Sequence, residues 1–259
     1  MTETNVTEVI LELDHVSKTF GALQATDDVS TVVRRGERRA LIGPNGAGKS
    51  TLVKLINGHL VPTSGTIRFL GNDITRVPSH ERVRRGMAMT FQHSSLLDDM
   101  SVHDNLVLAV QRTLEHNGSW FTSMRKHRDV TQRVAEVIER LRLDSESLRL
   151  AGDLAHGQRR RVEIALAYAT EPQLLLLDEP AAGMSPGEIE DFLEFLSGMD
   201  ELTFILIEHN IDVVMRVASS ISVLDAGRII ASGDPETVSK SEEVQLAYLG
   251  SSMGEDLFR

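Results

Sequence analysis

Two groups of residues in this chain have types and spacings suited to phosphate chemistry. Gly43-Pro44-Asn45-Gly46-Ala47-Gly48-Lys49-Ser50 follows the spacing G-x-x-x-x-G-K-[ST], and Thr51 carries it into the next segment. Glycines at that spacing let backbone N–H groups turn inward around phosphate oxygens, and the helix that follows points its positive end at them. Lys49 adds charge, and the Ser50 hydroxyl can ligate Mg²⁺. The second group closes the apolar run Leu174–Leu177 with Asp178 and Glu179. Ligand sites in open α/β sheets lie beyond the carboxyl ends of strands, so Asp178 can hold hydrated Mg²⁺ while Glu179 polarises a water against a terminal phosphate. Gln92 and His209 follow the apolar runs Met87–Thr90 and Phe204–Ile207 and can reach the same phosphate or its metal. A lone polar residue at a strand end also serves as a cap or turn former, and neither position is decisive without the other motifs.

These residues require strands that stop on one edge and helices that start there. Residues Leu11–Phe20, Val29–Val33 and Arg38–Ile42 are expected as strands, punctuated by Gly21 and Gly36, and the third runs into the glycine loop. A helix over Ser50–Asn57, a strand over Thr66–Phe69 and a helix from Ser79 to near Gly86 follow. From Ser101 the pattern turns helical. Ser101 and Asp104 are spaced as a capping box opening a helix to about Gln111, and Val130, Val134, Val137, Ile138 and Leu141 fit another. Strands return at Leu174–Leu177, Phe204–Ile207 and Ser222–Leu224, with amphipathic helices near Glu188–Leu196 and Ile211–Ala218. Continuous apolar runs of this kind suit parallel strands covered on both faces, and the class is α/β.

Composition removes several alternatives. The 259 residues carry 27 basic and 38 acidic side chains, a formal charge of −11, so nothing draws the chain generally to nucleic acid, and no nucleic-acid partner is expected. Without cysteine there is neither a disulfide framework nor a thiolate metal site, and no pair of the nine histidines has a metal-ligand spacing. Met1–Glu8 lacks the charged and apolar segments of a signal peptide, and no run of about 18 apolar residues offers a membrane span. Work at a membrane would require a partner to hold the chain there.

The segment Leu154-Ala155-His156-Gly157-Gln158, followed by Arg159-Arg160-Arg161, resembles the signature of ABC transporter ATPases, normally written LSGGQ. It lies between Gln92 and Asp178-Glu179-Pro180, with Ile207-Glu208-His209 after them, so the order of motifs is similar to that family across essentially the whole chain. The resemblance implies a RecA-like phosphate-loop core, residues 1–92 and 169–250, with an antiparallel β portion, an inserted helical lobe over 93–168 and a loose tail at 251–259. It implies a head-to-tail dimer with an identical or related ATP-binding subunit. Each ATP then sits between Gly43–Thr51 of one subunit and Ala155, His156, Gly157 and Gln158 of the other. It also implies adenine stacking on Phe20, ATP and Mg²⁺ as cofactors, a metal held by Ser50, Gln92 and Asp178, and hydrolysis by Glu179, Lys49 and His209. The partners implied are transmembrane permease subunits at the cytoplasmic face of the membrane and, for an importer, a substrate-binding protein.

The residues alone say that Gly157-Gln158 starts a helix whose amides favour an anion, while Arg159, Arg160 and Arg161 place cations where the dipole disfavours them. A nearby triphosphate would offset this, as would a solvated basic face supported by the Arg159–Glu163 spacing. Two positions depart from the family pattern. Ala155 replaces the signature serine, removing a hydroxyl donor and predicting slower hydrolysis. Ser185 stands where many members have aspartate, and Ser185-Pro186-Gly187-Glu188 is spaced as a helix start.

Within the family, Phe20-Gly21-Ala22-Leu23, Glu179-Pro180-Ala181-Ala182-Gly183, Ile207-Glu208-His209 and Ala247-Tyr248-Leu249-Gly250 are similar to ATPases of importers for branched-chain amino acids and small amides such as urea. The ATPase of lipopolysaccharide export shares the Arg-Arg-Arg-Val-Glu-Ile segment, and a non-transport ABC ATPase is a further alternative. Leu96, Leu97 and Met100 are expected to help form a groove for a cytoplasmic helix of the membrane subunit, with core packing as the alternative.

Overall fold

The computed structural model describes residues 8–90, 96–115, 123–199 and 201–248. Strands β1 (Val9–Phe20), β2 (Leu23–Arg34) and β3 (Arg38–Ile42) lead into α1 (Lys49–Ile56), then β4 (Ser64–Phe69), β5 (Asn72–Asp73), α2 (Ser79–Arg84) and β6 (Met87–Met89). Helices α3 (Val102–Glu115), α4 (Ser123–Arg140) and α5 (His156–Ala169) follow, with a 3-10 turn at Ala151–Asp153 before the last. The remaining elements are β7 (Leu174–Asp178), α6 (Pro186–Ser197), β8 (Phe204–Ile207), α7 (Ile211–Val217), β9 (Ser220–Asp225), β10 (Arg228–Gly233), α8 (Pro235–Ser239) and α9 (Glu242–Tyr248).

Among the described residues these strands form two sheets. One is antiparallel, in the order β2-β1-β4-β5; the other runs β10-β9-β3-β8-β7-β6 and is parallel from β9 to β6. The hairpin β1–β2 pairs Phe20 with Leu23 across Gly21-Ala22, and Gly21 takes φ 58°, which glycine adopts without cost. That turn lets β2 start well before the expected Val29. Strand β5, strand β10 and helices α8 and α9 were not expected; each is short, and β10 is an only partly buried edge strand reached through Ala226-Gly227. Too few residues repeat in such elements for a period to show.

The apolar runs of β7 and β8 are explained by two opposed cores. Leu175, Leu177, Phe204 and Leu206 face one side with α3, α4, α5 and α6, while Leu174, Leu176, Ile205 and Ile207 face the other with α1 and the antiparallel sheet. Alternation along a strand is thus present, but both faces are dry and every position is apolar. Helices α3 to α5 lie between β6 and β7 in sequence, although Met87 and Leu174 are direct neighbours in the sheet. Leu96 packs at 8% exposure into the core that these helices share, so it is a core residue and not a groove wall, while Leu97 is exposed.

Candidate active site

Strand β3 is central in the parallel sheet, between β8 and β9, and the loop Gly43–Gly48 leaves its carboxyl end. Backbone approach dictates the glycines: a Cβ on Gly43 would collide with the carbonyl oxygen of Leu224, and one on Gly48 with that of Ala25. Gly48 also takes φ 103° as the N-cap of α1, where an L side chain is strained. Asn45, Gly46 and Ser50 are exposed, Pro44 and Thr51 partly so, and Ala47 is buried. Lys49 is 6% exposed, and its Nζ donates to the carbonyl oxygens of Gly43 at 2.6 Å and Pro44 at 3.0 Å. Burial pushes the ammonium pKa down, while the charge of Glu179 opposes that shift. Phe20 lies 45% exposed at the tip of the hairpin whose Ala25 abuts Gly48, under Lys18 Nζ at 5.2 Å from the ring centroid. It is not a core phenylalanine.

Parallel pairing sets the acids beside the histidine. Asp178 pairs with Ile207, and the N–H of Glu179 donates to the Ile207 carbonyl at 2.8 Å, so β7 and β8 end together. Glu179 then turns the chain with φ 47°, and His209 Nε2 sits 3.0 Å from Glu179 Oε1. A non-glycine residue in that region is strained, as is common where a side chain must be aimed. Burial raises the Asp178 pKa, Glu179 adds to the shift, and Arg160 opposes it.

The N-terminus of α5 packs against the segment that follows these acids. Ala155 is its N-cap, exposed and with φ −62° and ψ 160°; methyl in place of hydroxyl leaves no side-chain cap. Gln158 Oε1 accepts the Ala155 N–H at 3.1 Å, and Gln158 Nε2 donates to Glu146 at 3.3 Å. His156 Nε2 is 3.2 Å from the Ala182 carbonyl oxygen, and the Gly157 N–H donates to Glu188 Oε1 at 3.3 Å. Glu188 also accepts from the Ser185 N–H at 2.9 Å, closing the expected capping box on α6 and lowering its own pKa. The three arginines differ from expectation. Arg159 pairs with Asp98 at 2.7 Å, Arg161 with buried Glu146 at 2.8 Å, and Arg160 with Glu163 at 2.9 Å and the Asp178 carbonyl at 2.8 Å. Protein partners offset these cations, so no triphosphate is needed to explain them, and they do not form a solvated basic face.

A family model described as ABC transporter matches residues 26–182. The chain is 37% identical over 249 residues to the high-affinity branched-chain amino acid transport ATP-binding protein BraF of Pseudomonas aeruginosa, covering 93% of this chain and 98% of that protein. It is 34% identical over 253 residues to LivG of Escherichia coli, which carries the same description, covering 95% and 99%. The solved ADP conformation of MJ1267, an ATP-binding cassette of an ABC transporter, matches with a TM-score of 0.79 at 31% identity, over 95% of this chain and 100% of that one. The chain belongs to the ABC transporter family. It has the fold of an ABC ATP-binding cassette, a RecA-like phosphate-loop core with an antiparallel β portion and inserted helices, and it is an ABC-type ATPase.

In this cassette the phosphate loop, Asp178, Glu179 and His209 converge at the carboxyl edge of the parallel sheet. The signature residues Ala155–Gln158 meet the Ala182–Glu188 segment of their own chain. Gln92 lies outside the described residues. One functional candidate escaped the sequence reading: Glu208, between Ile207 and His209, is 3% exposed and accepts three backbone N–H groups. Its signal was an acid directly after a wholly apolar strand; the sequence reading named it only within Ile207-Glu208-His209 and gave it no role.

Proposed function

We propose that this chain is the ATP-hydrolysing subunit of an importer of branched-chain amino acids. The alignment with BraF and LivG over nearly the whole chain carries the reading. On this reading Gly43–Thr51 wraps the phosphates, and Lys49 exchanges the Gly43 and Pro44 carbonyls for phosphate oxygens. Phe20, exposed at the hairpin tip, stacks on adenine. Exposed Ser50 and Asp178 fit a divalent cation, since a half-buried carboxylate with a raised pKa gains from a nearby positive charge; Gln92 is proposed as a further ligand. When bound, Mg²⁺ would neutralise charge on the phosphates. Glu179 orients and polarises the attacking water, and His209 holds Glu179 through the 3.0 Å contact.

The site is completed by Ala155, His156, Gly157 and Gln158 of a second ATP-binding subunit, identical or related, in a head-to-tail dimer. Permease subunits hold the pair at the cytoplasmic face of the membrane; among the described residues no helix is long and apolar enough to cross one. A cavity of 280 Å³, lined in part by Val83, Met87, Met89, Leu166 and Ala167, supports docking of a permease helix between core and helical lobe. Of the groove expected at Leu96, Leu97 and Met100, only Leu96 is taken up by the core. The division into residues 1–92 and 169–250 as core, with 93–168 as the lobe, belongs to the same reading.

The test is uptake by the complex reconstituted in vesicles with its permeases and binding protein. ATP-dependent accumulation of leucine, not suppressed by excess urea, supports the reading. Uptake of urea alone would move the substrate to small amides, and ATP turnover with outward movement of lipid would refute import.

A further inference from the structure

We propose that Glu208 is a positioning residue for hydrolysis, clamping the turn after Glu179 to the turn that carries His209. The inference rests on the ATP-hydrolysis reading of the site and adds a residue to it. The backbone ladder between β7 and β8 ends at the bond from the Glu179 N–H to the Ile207 carbonyl. Beyond it Glu179 turns away at φ 47°, and main-chain pairing stops. The Ala181 N–H is buried there with its residue at 6% exposure, and Glu208 Oε1 accepts it at 2.6 Å. The second oxygen, Oε2, accepts the N–H of His209 at 2.9 Å and of Asn210 at 3.3 Å. One carboxylate therefore continues the rung that the two backbones no longer make, and it spans the residues on either side of the Glu179–His209 contact.

The chemistry favours a carboxylate over any other side chain. Only a group with two acceptor oxygens and no donor satisfies amides on both turns; glutamine would accept on one side and present its own N–H₂ to a donor on the other. Burial raises the Glu208 pKa against the pull of those three amides, with Glu179 adding to the shift.

The test uses the assembled transport complex and the full-length subunit. Glu208→Gln is expected to lower kcat by about tenfold or more, the equivalent of one charge-assisted hydrogen bond, with KM for ATP and nucleotide affinity within about twofold of wild type. In a Glu179→Gln background the same change is expected to lower the residual single-turnover rate by less than about twofold, because the group being aimed has already gone. Glu208→Asp keeps the charge but is one methylene shorter, so it reaches the adjacent His209 and Asn210 amides and not Ala181. It is expected to lose kcat similarly, and it carries the test if the glutamine variant does not fold. A kcat within about twofold of wild type in either folded variant, or equal losses with and without Glu179, overturns the proposal. A wild-type complex that does not turn over ATP would instead count against the hydrolysis reading itself.

Discussion

Replacing Ala155 with serine tests the signature departure in two independent ways. Ala155 already has the extended backbone of an N-cap, and Gln158 already accepts its N–H at 3.1 Å, so half of a capping box is in place. A serine Oγ would accept the Gln158 N–H and complete it. The gain of a capping oxygen over alanine is about 1 kcal/mol, which for a chain of this size raises Tm by about 2–4 °C. The hydroxyl still has its proton to donate. Across the proposed dimer, a hydrogen bond to a phosphate oxygen contributes about 1.5–3 kcal/mol, a factor of about 10 to 150 in the strength with which ATP holds the two subunits closed. Thermal unfolding of the isolated subunit reads the first effect, and ATP dependence of turnover in the assembled complex reads the second. An unchanged or lower Tm would refute the cap geometry. A higher Tm without any gain in turnover or apparent ATP affinity would refute the idea that the missing hydroxyl slows this site.

Glu179→Gln should bind ATP with near wild-type affinity yet hydrolyse it at least about 100-fold more slowly and accumulate the closed dimer; unchanged steady-state turnover would assign the base elsewhere. Lys49→Ala removes a buried charge and should weaken ATP binding by about tenfold or more, measured by titration with a fluorescent nucleotide. Gly48→Ala forces a Cβ against the Ala25 carbonyl at φ 103° and should destabilise the fold by more than about 1 kcal/mol while abolishing nucleotide binding. Chelation with EDTA should stop turnover, and added Mg²⁺ should restore it.

How far the sequence could be read depended on how local each determinant was. The β3–loop–α1 unit was legible because its glycines are needed by backbone approach within a few residues and to Ala25 and Leu224, leaving a fixed spacing behind. Ser185 and Glu188 were legible as a cap for the same reason, the bond spanning three residues. The arginines of α5 were not, since Arg159 finds Asp98 and Arg161 finds Glu146 far away in the chain, while the local pairing formed is Arg160 with Glu163 and not Arg159 with Glu163. Leu96 was misplaced because an apolar residue after a strand looks alike in a groove and in a core. Glu208 was missed because its partners, Ala181 on one side and His209 and Asn210 on the other, become neighbours only once β7 lies beside β8.

Other bonds between residues distant in the chain connect the signature segment to the catalytic acids. On the proposed function, the signature of one subunit serves ATP bound by the other, so each chain must relate the state of its own acids to a surface it presents elsewhere. Arg160 bonds the carbonyl of Asp178, His156 meets the carbonyl of Ala182, and Gly157 donates to Glu188 at the start of α6. These contacts flank the turn that Glu179 opens and Glu208 clamps. Were that turn to shift when nucleotide enters or leaves, the N-terminus of α5 would be reached over single hydrogen bonds, without a long relay. Ser185 fits this arrangement: by capping α6 it fixes Glu188, and Glu188 in turn holds Gly157, so the residue that departs from the family pattern anchors the link between the acids and the signature.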